Sequence, residues 1–350
     1  LATVLYGPRD IRLESRETPR IVEPTDAVIR ISATCVCGSD LWPYRGLQRA
    51  DRPLPMGHEY CGIVGEVGSA VRSSDPDFVV GSFATSDNIC PHCQYGYQSS
   101  CRQREFISRA QAPVLRVPLA DGTLVATPEV PRDDLLPGLL TASDLLGTGS
   151  FAADAAKVQP GSTVVVVGDG AVGLFGVLSA RQLGAARIFA MSRHEDWQKL
   201  ARDFGATDII AERGDDGVAR ILDLTDGVGA DSVLECVGTQ EAMMQAVHVT
   251  RPGGYVGYVA PRCGGAAAHL LLQALQSGNR HPRLLRIESA KWVAAGQAHL
   301  AQHLLHVLHQ LAAATFVVML APGNRWCSGR SPGLAADVVC VQAVKWGKLH

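Results

Sequence analysis

Three short stretches of this chain hold residue types whose spacing could do chemistry. CVCGSD (35–40) and GHEYCG (57–62) each place a metal-type ligand on a turn beside an apolar run. A catalytic zinc needs three protein ligands and an open position, drawn from Cys, His and carboxylate. Cys37 and His58 are the first two candidates, with Glu59 adjacent. DNICPHCQYGYQSSC (87–101) crowds Cys90, Cys93 and Cys101 together in a chain with 10 cysteines. Taken alone it reads as a zinc site short of one ligand, a disulfide loop or core cysteine. The third stretch, GDGAVG (168–173), is G-x-G-x-x-G. That pattern is informative only where a strand precedes it and a helix follows.

The surrounding elements supply that context. TVVVV runs into Gly168, and AVGLFGVLSARQLGA follows Gly170 with a helical pattern. Gly168 would permit the tight turn, Gly170 the approach of a pyrophosphate, and Gly173 close packing of helix on strand. The helix start at Ala171 and Val172 would offer unpaired N–H groups to the phosphates. Strand and helix then alternate: RIFAMS (187–192), EDWQKLARDFGA (195–206), TDIIA (207–211), DDGVARILDLT (215–225) and ADSVLECVG (230–238). Such alternation with short connections predicts a doubly wound parallel sheet, a Rossmann coenzyme domain, and an α/β class for the chain. Residues 1–147 differ, with short alternating runs such as AVIRISATC (27–35) and many Gly and Pro, and predict a β-rich domain.

In an NAD-binding fold the second strand usually ends in an acid that reads the ribose 2′-hydroxyl. Here it ends in Met191, Ser192 and Arg193, a hydroxyl and a guanidinium suited to a 2′-phosphate. NADP(H) is therefore expected over NAD(H), the alternative being that Glu195 supplies the carboxylate and Arg193 is a solvated surface residue.

A net charge of −2 with 19% charged residues argues against nucleic acid or membrane as partner, and leaves small molecules. LATVLYGPRDIRLES lacks the order of a signal peptide, so a cytoplasmic protein is expected. A reducing compartment disfavours disulfides and favours metal or catalytic roles for clustered cysteines.

With these motifs in hand, the chain resembles the zinc-dependent medium-chain alcohol dehydrogenases over about residues 2–261. The likeness is carried by CVCGSD, GHEYCGIVGEVG, the cysteine cluster, TASDLLGTGSFAADAA (141–156) and GDGAVG. The resemblance implies a chaperonin-10-like catalytic domain (1–147) and a dinucleotide-binding domain (148–285). It implies catalytic zinc on Cys37 and His58, and Asp144 as third ligand four residues before a Thr-Gly that begins the linking helix; a capping role for Asp144 is the plain alternative. It makes Glu59 a nearby or exchangeable carboxylate and Ser39 the start of a proton relay. The His often found three residues after that hydroxyl is here Trp42, which with Tyr44 could instead line an apolar substrate pocket. The family's structural lobe is spaced C-x2-C-x2-C-x7-C. Laid on this chain it makes Cys90, Cys93 and Cys101 the last three ligands and Asp87 the first, with His92 a spare candidate.

Past residue 261 the resemblance stops. Residues 1–261 hold 32 acidic, 23 basic and four His residues, against 2, 9 and seven in 262–350. A reading-frame change near 261 would produce this break, and a divergent C-terminus is the alternative. QAHLAQHLLHVLHQLAAATFVVML (297–320) reads as one apolar helix, but four His and three Gln in 297–310 leave too short a run for a membrane span. Residues 286–350 are expected to be an atypical tail. The expected activity is alcohol or carbonyl redox chemistry with zinc and NADP(H). The alternatives are a polyol or threonine-type dehydrogenase and a cofactor-binding but catalytically impaired protein. The family implies a homo-oligomer through a strand that would lie beyond residue 261.

Overall fold

A computed structural model of the chain describes residues 1–72, 77–259 and the short strand Arg286–Ser289. The expectations for the tail, apart from that strand, lie outside the described residues. No helix among the described residues is long and apolar enough to cross a membrane. The chain divides into two compact units, with the change at Asp144/Leu145.

The first unit is built on strands β1 (Ala2–Gly7), β2 (Asp10–Glu14), β3 (Ala27–Thr34), β4 (Leu54–Pro55), β5 (Tyr60–Val67), β6 (Phe78–Gly81), β7 (Val114–Val117) and β8 (Leu124–Ala126). They form a three-stranded sheet, β2-β1-β4, and a five-stranded antiparallel sheet, β7-β3-β5-β6-β8. Alternation along β3 buries Ile29 and Ile31 against Tyr60, Val64, Leu115 and Val117. The β3 pairing ends at Thr34 opposite Tyr60, so the chain leaving β3 and the chain entering β5 run side by side. Short helices α1 (Leu41–Tyr44), α2 (Pro91–Gln94), α3 (Ala120–Thr123) and α4 (Leu136–Thr141) fill the connections. Of these, α4 buries Leu139 and Leu140 and packs on β3 and β5.

The second unit contains α5 (Leu145–Ala155), β9 (Thr163–Val167), α6 (Ala171–Gln182), β10 (Arg187–Met191), α7 (Glu195–Phe204), β11 (Asp208–Ile210), α8 (Gly214–Leu224), β12 (Ala230–Glu235), α9 (Gln240–Val249), β13 (Thr250–Tyr258) and β14 (Arg286–Ser289). The strands are all parallel, in the order β11-β10-β9-β12-β13-β14. That is the doubly wound order, reversing between β9 and β12, where such sheets bind ligands at their carboxyl ends. Val165, Val167, Phe189, Val233 and Val256 are fully buried, as a parallel sheet covered on both faces requires. The linking helix starts at Leu145, three residues before the Thr148 start expected from the motif.

Candidate functional site

The paired ends of β3 and β5 bring the first group of side chains together. Cys37 lies three residues past Thr34, at the start of a 3-10 turn over Gly38–Asp40, and His58 and Glu59 directly precede Tyr60. Asp144 arrives from the turn after α4. One ligand-type atom from each of Cys37, His58, Glu59 and Asp144 lies within 4.8 Å of all the others. Oδ2 of Asp144 is 3.6 Å from Sγ of Cys37 and 3.4 Å from Nε2 of His58, and Nε2 is 4.0 Å from Oε1 of Glu59. Tetrahedral zinc with ordinary bond lengths separates its ligand atoms by roughly 3.3–3.8 Å, so the set has the size of a zinc site.

Two observations test that fit. Nε2 of His58 and Oε1 of Glu59 are buried and have no hydrogen-bond partner, which is costly unless something absent from the protein chain satisfies them. The charge balance points the same way. Burial, and then the Asp144 carboxylate, push the Cys37 thiol up to about 12 and Glu59 up to about 7. Burial opposes a charge on His58, yet Asp144 and Asp40 raise its proton affinity well above the ordinary value. A divalent cation supplies the positive charge that these buried acids lack.

Neighbours fix the ligands. Asp40 accepts the Cys37 N–H at 2.9 Å and stands 3.6 Å from Nδ1 of His58, the carboxylate–histidine arrangement that orients a ligating imidazole. The Cys35 thiol donates to Oε2 of Glu59 at 2.7 Å, and the Thr34 hydroxyl donates to the Glu59 carbonyl. Ser39 lies on the 3-10 turn, two residues after Cys37, and is half-buried.

The second group, Asp87, Cys90, Cys93 and Cys101, also gathers within 4.8 Å. Sγ of Cys90 is 3.5 Å from that of Cys93 and 3.9 Å from that of Cys101, and every described cysteine is a free thiol, so the disulfide reading fails here. Burial alone would raise the Asp87 carboxyl, but the N–H groups of Cys90 and Ile89 hold it at about 2. It is thus charged and ready as a ligand. The N–H groups of Asp87 and Gln103 point at Sγ of Cys101, and that of Arg102 points at Sγ of Cys90, which suits thiolates. His92, the spare candidate, turns away to the Ser100 carbonyl.

The glycine motif caps the sheet at the end of β9. Gly168 has φ +114°, a left-handed conformation that favours glycine, and a Cβ on Gly173 would stand 2.1 Å from the Gly168 carbonyl oxygen. A Cβ on Gly170 would meet nothing within 4 Å. The space over Gly170 and the first N–H groups of α6, at Ala171, Val172 and Gly173, fits a coenzyme pyrophosphate. Glu235, at the end of β12, is fully buried and accepts the N–H groups of Val237 and Gly238, shaping the loop that touches Gly168.

At the end of β10 the structure corrects the sequence reading twice. Ser192 is fully buried and its hydroxyl donates to Oδ2 of Asp169 at 2.8 Å, so it does not face a coenzyme phosphate. A carboxylate is present there after all, contributed by the glycine turn and not by β10. Arg213, just before α8, lies 4.0 Å from that carboxylate; the side chains of Arg213 and Asp169 keep 29% and 24% of their exposure, and Arg193 is exposed. Burial, and the nearby positive charge of Arg193, lower the proton affinity of Arg213 while Asp169 raises it. Asp40, Cys35, Asp169 and Arg213 were missed from sequence. Asp40 and Asp169 stood inside the quoted motifs, whereas nothing marked Arg213.

A doubly wound coenzyme-type sheet and a β-rich unit carrying two zinc-sized ligand sets define a class of metal-linked dehydrogenases, and comparison with known proteins agrees. Residues 23–153 match the alcohol dehydrogenase GroES-like domain, and residues 171–280 match the zinc-binding dehydrogenase domain. Zinc-type alcohol dehydrogenase B of Aspergillus flavus is 34% identical over 276 residues, covering 75% of this chain and 64% of that protein's length. The NADP-dependent isopropanol dehydrogenase of Clostridium beijerinckii is 32% identical over 262 residues, covering 72% of this chain and 73% of that one. The solved alcohol dehydrogenase TADH from Thermus sp. ATN1 superposes with a TM-score of 0.74 at 27% identity, covering 88% of each chain. The chain belongs to the zinc-dependent medium-chain alcohol dehydrogenases, a family of enzymes.

Proposed function

We propose that this chain transfers hydride between an alcohol, or the matching aldehyde or ketone, and NADP(H). The observation that carries the reading is the set of half-buried Cys37 and His58 with buried Glu59 and Asp144, in which the buried atoms Nε2 of His58 and Oε1 of Glu59 lack hydrogen-bond partners. Bound there, zinc would supply a Lewis acid for the substrate oxygen, and the coenzyme a hydride acceptor. Cys37, His58 and Asp144 are the residues assigned to hold the metal. Glu59, pinned through one oxygen by Cys35, keeps a second carboxylate in reserve. Ser39 is assigned the alcohol proton on its way to water. We assign Asp87, Cys90, Cys93 and Cys101 to a second zinc that stabilises the lobe and takes no part in the chemistry. In this reading residues 1–144 form the catalytic domain and the unit from Leu145 the coenzyme domain, which begins three residues earlier than expected and takes in β14 (Arg286–Ser289) past the expected end at 285. Support for NADP(H) comes from Arg193 and Arg213 beside the end of β10 and from the name of the Clostridium relative.

The test is NADP-linked oxidation of short primary and secondary alcohols by the purified full chain, with zinc counted in the same sample. Turnover that disappears on removal of zinc and returns with it is the expected result. A second reading, a dehydrogenase-like protein that binds both cofactors but is catalytically impaired, is favoured by the acid-poor composition of 262–350. Zinc-loaded protein that binds NADPH yet oxidises none of these alcohols would select it.

A further inference from the structure

Three side chains keep exposed surface at the end of β10, where a doubly wound fold reads the adenosine ribose: Asp169, Arg193 and Arg213. Two are cations and one is an anion. The anion is held in place, because buried Ser192 spends its only proton on Oδ2 of Asp169 and receives nothing there in return. Oδ2 also faces Arg213 at 4.0 Å, beyond direct hydrogen-bond range, so the guanidinium and the carboxylate keep capacity for a ligand. A ribose 2′-hydroxyl can donate to the carboxylate. A 2′-phosphate can only accept, so it is drawn to Arg193 and Arg213 and repelled by Asp169.

We propose that Asp169, the residue between the first two glycines of the motif, sets how strongly this chain discriminates between NADP(H) and NAD(H). The inference rests on the coenzyme reading above and refines it. Arg193 and Arg213 supply the preference for the phosphorylated coenzyme, and Asp169 limits it by serving as acceptor for the unphosphorylated one. Removing the charge acts twice in one direction. It ends the repulsion of the 2′-phosphate, and a neutral amide is a weaker acceptor than a carboxylate for the 2′-hydroxyl.

The experiment measures dissociation constants of the full chain for NADPH and NADH by fluorescence titration, with 2′-AMP and 5′-AMP as competing probes. It reads binding, so it does not depend on turnover. Asp169→Asn should raise the NADPH-over-NADH affinity ratio about tenfold, the size expected for one partly screened charge, and shift the 2′-AMP to 5′-AMP ratio the same way. Arg213→Gln should lower both ratios by a similar factor. Asp169→Ser removes the charge with a smaller side chain and serves if the Asn variant does not fold. Equal weakening of both coenzymes in the Asp169 variants would mean that the residue only braces the turn, and would overturn the proposal, as would a shift toward NADH. The coenzyme reading fails on a different result, wild-type protein binding NADH as tightly as NADPH. Asp169→Asn would still have to move that ratio in the stated direction.

Discussion

Asp40 ties two candidate ligands together although it belongs to neither set. One oxygen takes the Cys37 N–H and the other faces Nδ1 of His58, so it fixes the loop of one and the ring of the other. Replacing it with Asn should leave the fold intact and weaken zinc binding at this site by about 10- to 100-fold, the usual cost of losing a histidine's carboxylate partner. Competition with a chromophoric chelator would measure it, and unchanged affinity would remove Asp40 from the site. This residue also marks what the sequence could tell. Cys37 and His58 were legible because few other residue types can hold zinc, and they sit in short motifs. Asp40 was on view in CVCGSD, but its task depends on His58 arriving from 18 residues away, which only the β3 and β5 pairing brings about.

At the scale of elements, the sheet carrying the site is anchored at the start of β3. Asp26 is fully buried, accepts the N–H groups of Val22 and Glu23, and meets Nε and Nη2 of Arg116 on β7 at 2.6 and 3.0 Å. Burial alone would raise its pKa, but Arg116 and the two N–H groups outweigh burial and hold it below the ordinary value. The Asp26→Asn variant should therefore lose about 3 kcal/mol at neutral pH, since Arg116 is left facing a neutral amide. A depressed carboxylate contributes its stability above the unfolded pKa and loses it as pH falls through the folded one. The gap between wild type and variant in urea unfolding should thus be full above about pH 5 and close below about pH 4. A gap independent of pH would mean that Asp26 acts through shape and not charge. Element order was readable from hydrophobic period, since β9 to β12 and the helices between them fall where the pattern put them, whereas α9 was not foreseen. Register was not. The parallel pairing of Val167 with Met191 sets the residues following β9 beside those following β10, so the carboxylate sought along β10 comes from Asp169, in the turn after the neighbouring strand. A search along one strand cannot find a neighbour that arrives from another.

For the whole molecule, two ligand sets predict two zinc ions per chain. Elemental analysis after gentle purification should return two, with the ion at Asp87, Cys90, Cys93 and Cys101 removed first by chelator; a count of one would sink the lobe assignment. That expected order rests on the exposed surroundings of the lobe, including Ile89 and Tyr95.

The two sets differ most in how much chain lies between their members. Asp87 and Cys101 are 14 residues apart, whereas Cys37 and Asp144 are 107 apart. Closing the longer loop costs more conformational entropy, and its ends meet only after β3, β5 and α4 have docked. During refolding the lobe can therefore capture metal while most of the chain is still searching. The site at Cys37 is expected to form late, and zinc bound there would act as a latch on a finished structure, holding distant segments closed against unfolding.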